Sequence, residues 1–96
     1  MNPEDILKAI SHPARLQFLA WLKHPERHFC QDHPFSMGVC ANQFQVGGLS
    51  QSTVSSHLAI LQSAGLIKSK KVGQWVFFER NEETIDAFLD YLKTNL

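Results

Sequence analysis

The stretch "LSQSTVSSHLAILQSAGLI", residues Leu49 to Ile67, holds the side chains whose types and spacing best suit recognition chemistry. Ser50, Gln51, Ser52, Thr53, Ser55, Ser56 and His57 are short and neutral, and the stretch contains no Asp, Glu, Lys or Arg. Val54, Leu58 and Leu61 fall at i, i+4 and i+7, which predicts an amphipathic helix capped by Ser50 and stopped at Gly65. Serine is a mediocre helix former, so several along a wetted face call for a reason. The plainest reason is a surface helix with a good cap. A sharper one is the DNA major groove, where each base pair shows a different pattern of donors and acceptors. Side chains that donate and accept, and that are short enough for close approach, suit that task. Gln51 fits adenine in a bidentate way, Ser52, Ser55 and Ser56 can donate or accept, and the Thr53 methyl can meet a thymine methyl. The free N–H groups from Ser50 to Thr53 suit a phosphate oxygen. His57 belongs with this set as a groove- or backbone-contacting residue.

Such a helix needs elements to hold it. "PEDILKAI" predicts a first helix, with Pro3, Glu4 and Asp5 at its start and Ile6, Leu7 and Ile10 as its apolar stripe. "SHP" breaks it, and a second helix follows from about Pro13 to Lys23, with His12 as its cap and Leu16, Phe18, Leu19 and Leu22 as apolar positions. Arg15 near its start reads as a structural ion-pair residue. "HPERHFCQDHPFS" is a long polar connection. Met37, Cys40, Ala41 and Phe44 then recur at helical spacing and predict a third, short helix from about Phe35 to Phe44, ended by Gly47 and Gly48. "LIKSKKVGQWVFFER" predicts a two-stranded hairpin turning at Val72-Gly73, with Trp75, Phe77 and Phe78 as packing residues. Ile85, Phe88, Leu89 and Leu92 stripe a last helix from about Glu82 to Asn95.

Short helix, glycine turn, helix and basic hairpin together predict a mainly α, winged helix-turn-helix domain of about five helices and a small β-hairpin. It fills residues 1–96 as one domain. The helix-turn-helix spans about 35–64 and the wing about 66–79. The predicted dimerisation helices span about 3–10 and 82–95. Lys70, Lys71 and Gln74 flank the hairpin turn, where they would reach DNA backbone or minor groove and supply affinity rather than sequence preference.

Charge and size agree with this division. The 96 residues carry no net formal charge. Yet Lys68, Lys70, Lys71 and Arg80 face only Glu79 within residues 50–80, while Glu82, Glu83, Asp86 and Asp90 face only Lys93 afterwards. A basic middle beside an acidic tail predicts one polyanion-facing surface and one turned elsewhere. A chain this small has a thin core, which favours sharing apolar surface in a homodimer. No apolar run approaches the roughly 20 residues that span a bilayer. The acidic start "MNPEDILKAI" is unlike a secretion signal, so a cytoplasmic location is expected. No nucleophile–base–acid set and no phosphate-binding glycine loop is present, so no enzyme activity is expected.

The chain resembles the ArsR/SmtB family of bacterial winged-helix repressors. "ILKAISHPARLQFLAWL" resembles that family's first two helices, "GLSQSTVSSHLAILQSAGLI" its recognition helix and "KKVGQWVFF" its wing, with residues 24–47 mainly outside the likeness. The resemblance implies a homodimer joined through the first and last helices. It also implies binding to an inverted repeat in double-stranded DNA, with release by an inducer or by thiol oxidation. A protein-interaction module that has given up DNA is the alternative; the cluster of lysines in the wing speaks against it.

The sensor is less legible. "MGVCAN" matches the family's metal-binding cysteine motif only superficially, and the last helix has Asp86 and Asp90 but no histidine. Cys30 and Cys40 bracket the loop before the short helix and form a candidate redox pair; alternatively Cys40 is core and Cys30 an isolated loop thiol. His24, His28, Cys30, Asp32 and His33 have side chains suited to Zn²⁺, but their irregular spacing matches no known finger, and a polar surface loop is the commoner case. No cofactor is expected, and the identity of the inducer is left open.

Overall fold

A computed structural model of the chain describes residues 1–96, apart from the side chains of Val46 and Gly47. Five α-helices are described: α1 (Pro3–Ile10), α2 (Pro13–Lys23), the single turn α3 (Pro25–His28), α4 (Gln51–Ser63) and α5 (Glu82–Asn95). Strands β1 (Val39–Cys40), β2 (Ile67–Val72) and β3 (Trp75–Arg80) form one antiparallel sheet in the order β1-β3-β2. This is the winged-helix architecture, with one more strand than the two-stranded hairpin expected.

Local chemistry sets most of the helix ends. The Asn2 side chain accepts from the Glu4 and Asp5 backbone N–H groups, and His12 Nδ1 accepts from Ala14 N at 3.1 Å. Ser50 Oγ accepts from Thr53 N at 3.2 Å, and Asn81 Oδ1 from Thr84 N. α4 ends in a paired cap: Leu66 N donates to Leu61 O at 3.0 Å and Gly65 N to Gln62 O at 2.9 Å. Gly65 has φ 82°, which lets the chain turn straight into β2.

The expected third helix over Phe35–Phe44 is not an α-helix. A 3₁₀ turn at Phe35–Met37 gives way to β1, and a second 3₁₀ segment runs Ala41–Gly47. Two causes are visible. Gly38 takes φ 98°, and a Cβ there would stand 2.8 Å from Phe78 O, so the backbone passes hard against β3. Val39 and Cys40 then pair with Phe78 and Phe77. Phe44, wholly buried, carries the support that a helix would have given. Its ring lies 5.1 Å from that of Phe18, 5.0 Å from Phe29 and 6.2 Å from Phe78. Ile6, Leu19, Val54, Leu58, Leu61, Ile67 and Phe88 complete the core beneath α4.

Candidate nucleic-acid interface

α4 presents its first turns to solvent. Ser50, Gln51, Ser52, Thr53, Ser55 and Ser56 are all exposed, while Val54, Leu58 and Leu61 point inward. The hydroxyls at the start are already organised. Ser50 Oγ lies 2.9 Å from Thr53 Oγ1 and 3.2 Å from Ser52 Oγ. Among the described residues, Gln51, Ser55 and Ser56 make no side-chain hydrogen bond within the protein, so their donors and acceptors are available to a partner.

His57 departs from expectation. It is buried, 7% exposed, and faces the protein rather than a groove. Position 57 completes the inward set 54, 57, 58, 61, which is i, i+3, i+4, i+7 on one face. Its Nδ1 lies 3.2 Å from Arg15 Nη1, and its ring stands 4.5 Å from that of His12. Burial, then the charge of His12, then that of Arg15 hold its pKa below the ordinary 6.5. Arg15 is structural, but not through an ion pair: it donates to backbone carbonyls and to His57.

The wing stands beside the row. β2 and β3 pair from Ile67↔Arg80 to Val72↔Trp75, and Gly73 at the tip has φ 60°. Lys70, Lys71 and Gln74 are exposed. Lys68 spends its charge on Glu79 across the hairpin at 3.7 Å. Lys70 and Lys71 have no acidic partner among the described residues. Between wing and α4 lies an open cleft of about 300 Å³ that brings Gln51, Ser55 and Gln74 together. Asn42, Gln45 and Trp75 line the same cleft and were missed by sequence reasoning. Asn42 and Gln45 became legible only once the 35–44 helix was replaced by a 3₁₀ segment. Trp75, read as packing, is 39% exposed and rests 5.2 Å from the His33 ring.

The loop thiols and imidazoles are dispersed. Cys30 is exposed and Cys40 buried, and both are free thiols. They line one cavity of about 200 Å³ with His33 and Asp32. His24 pairs with Glu26 at 3.9 Å, His28 lies near Trp21, and His33 sits between Trp75 and Phe77. Among the described residues, no three His, Cys, Asp or Glu side chains gather into a metal-holding group. Among the described residues, no helix is long and apolar enough to cross a membrane.

The sequence pattern of the bacterial regulatory proteins of the arsR family matches residues 47–69, the segment that builds α4 and leads into the wing. Over its whole length the chain is 42% identical to the uncharacterized HTH-type transcriptional regulator YbzH of Bacillus subtilis, whose whole length is also covered. The chain belongs to the ArsR family. It is 34% identical to the HTH-type transcriptional regulator YgaV of Escherichia coli, across 92% of this chain and 79% of that one. Reduced HlyU from Vibrio cholerae superposes with a TM-score of 0.63 at 29% identity, over 92% of this chain and 81% of that one. As an ArsR-family member the protein is a DNA-binding transcriptional regulator. The relatives named here are likewise regulators of transcription.

Proposed function

We propose that this ArsR-family protein is a homodimeric repressor that binds an inverted-repeat operator through Ser50 to Ser56 and the wing, and lets go when an inducer or a thiol oxidant acts. The observation that carries the reading is the exposed, neutral, hydrogen-bonding start of α4 standing beside Lys70 and Lys71. Gln51, Ser52, Ser55 and Ser56 read bases; Lys70, Lys71 and Gln74 hold the backbone.

The dimer reading is supported by apolar surface on the opposite side. Leu7 of α1, Leu16 of α2 and Leu89 of α5 are 47%, 53% and 54% exposed. Leu16 and Leu89 border a groove floored by Ile6, Ile10, Leu19 and Phe88, an unfavourable surface to leave in water. A second copy covering it would make the protein two-fold, and a two-fold protein calls for a two-fold site.

For release, the shared cavity of Cys30 and Cys40 supports a thiol switch, since β1 carries Cys40 directly onto β3 of the wing. The deciding experiment is a mobility shift of DNA from upstream of the protein's own gene, with and without reductant. A specific shift that oxidation abolishes, and that persists under oxidation in Cys30→Ser, is expected. No shift at low salt would overturn the operator reading. A shift indifferent to oxidant would overturn the thiol switch and leave a metal or small-molecule inducer.

A further inference from the structure

Arg15, His12 and His57 meet where α1, α2 and α4 converge, on the side of α4 that faces away from the exposed row. Arginine only donates hydrogen bonds, so the Arg15 Nη1 contact at 3.2 Å requires His57 Nδ1 to be an acceptor, free of a proton. The same guanidinium donates through Nε to Ala9 O at 2.6 Å and through Nη2 to Lys8 O at 3.4 Å. Those carbonyls belong to the last turn of α1. One side chain of α2 therefore ties the end of α1 to the inner face of α4. His12 Nδ1 is engaged in capping Ala14, with its ring 4.5 Å from that of His57.

The charged surroundings offer an added proton no welcome. From α2 and its cap come Arg15 and His12. From α1 come Asp5 and Lys8, which line a groove against α4 with Ser56 and Ala59, and Lys8 is paired with Glu4 at 3.3 Å. The 3₁₀ segment Ala41–Gly47 contains no titratable residue. Among the described residues, no carboxylate bonds either imidazole.

We propose that the Arg15–His57 hydrogen bond positions the recognition helix on α1 and α2, and that a proton on His57 Nδ1 breaks it, so that this regulator loses DNA affinity in mild acid. With Nδ1 protonated, an N–H faces an N–H, and the guanidinium and a charged His12 add repulsion. Since burial and its two basic neighbours hold the ring's titration below 6.5, the contact is intact at neutral pH and fails only in more acidic solution. α1 also borders the apolar groove of the proposed dimer face, so the strut joins that face to the DNA-reading helix. The inference rests on the DNA-binding reading for one of its three readouts only.

The test compares the wild-type chain with His57→Gln, which can still accept from Arg15 but cannot titrate, and Arg15→Gln, which keeps a donor but drops the charge. The first readout is amide hydrogen exchange of α4, corrected for intrinsic rates. Between about pH 7.5 and pH 5.5 the wild type is expected to lose up to about tenfold in protection, and His57→Gln almost none. The second is affinity for a duplex recovered from a random-sequence pool. It is expected to fall by up to about tenfold in the wild type relative to His57→Gln over the same range. Any change common to both reports the other four histidines. In ring-nitrogen spectra, Arg15→Gln should move the His57 titration upward. Equal pH profiles for wild type and His57→Gln, or a wild-type His57 titrating at or above 6.5, would overturn the proposal. If no duplex is recovered, the DNA reading fails by itself, and the exchange measurement still decides the strut.

Discussion

Gln62 Nε2 donates to Ser69 Oγ at 3.0 Å, tying the last turn of α4 to the first strand of the wing. Among the described residues it is the one side-chain hydrogen bond between these elements. Both groups are exposed, so the bond adds little to folding, under about 1 kcal/mol. Its effect is on the register between Lys70, Lys71 and the α4 face. Gln62→Ala is expected to leave the melting temperature nearly unchanged while weakening duplex binding by about two- to fivefold, a loss of under about 1 kcal/mol. Paired calorimetry and fluorescence anisotropy would show the split; a fall in stability with unchanged affinity would contradict it.

Base reading and backbone holding are separable by mutation. Gln51→Ala and Ser55→Ala should each cost about 1–3 kcal/mol on the preferred site and little on unrelated DNA. Lys70→Ala and Lys71→Ala should weaken every duplex alike, each lowering the slope of log affinity against log salt by about one. Identical behaviour of the two groups would refute the division.

Gly38 is the position least able to accept a side chain. Its φ of 98° and the 2.8 Å approach of a would-be Cβ to Phe78 O add together. Gly38→Ala should destabilise the fold by at least about 1–3 kcal/mol, read from urea unfolding. The same substitution at Gly73, where nothing lies within 4 Å of a Cβ, bears the backbone strain without the collision and should cost less.

Leu89→Glu and Leu16→Glu place a charge on the apolar face without touching the buried core. Each should leave the monomer folded and weaken self-association by about a hundredfold or more, since an unpaired charge would be trapped at the seam. Sedimentation equilibrium measures this directly; a wild-type chain that is monomeric at micromolar concentration would remove the dimer from the proposal.

Acid sensitivity has a second, separate source. Arg80 hydrogen-bonds Glu82 and holds its carboxyl below the ordinary 4.5, while Arg80 Nη1 also donates to Leu19 O at 3.1 Å. A lowered carboxyl favours the fold above its unfolded value, and that stability is lost as pH falls through the folded one. Glu82→Gln should flatten the stability curve below about pH 4.5 by lowering the neutral plateau slightly while leaving strong acid unchanged, and the step is small because Glu82 is largely exposed; urea unfolding across pH measures it.

The readable parts of the fold were those whose signals are local. α1, α2, α4 and α5 announce themselves by apolar spacing and caps, and the hairpin by Val72-Gly73 between β-forming runs. Residues 35–44 misled because Met37, Cys40, Ala41 and Phe44 have helical spacing. What overrides it is the pairing of Val39 and Cys40 with Phe78 and Phe77, far along the chain. His57 misled for the opposite reason. Its spacing from Val54 and Leu61 places it inward, but its polarity suggested the outer face, and only Arg15, 42 positions away, supplies the buried partner. The cleft residues Asn42 and Gln45 stand three apart on one face of the 3₁₀ segment, but as polar groups flanking the buried Phe44 they read in the sequence only as its wetted side.

The central place of β3 has a mechanical consequence. Held at its base by β1 against Phe77 and Phe78, the hairpin is expected to pivot little, so that the gap between it and α4 is largely set before any duplex arrives. Accommodation then falls to the nucleic acid. Sequences that bend and narrow cheaply would be preferred even at steps no side chain touches, giving the regulator a discrimination founded on stiffness as well as on base identity.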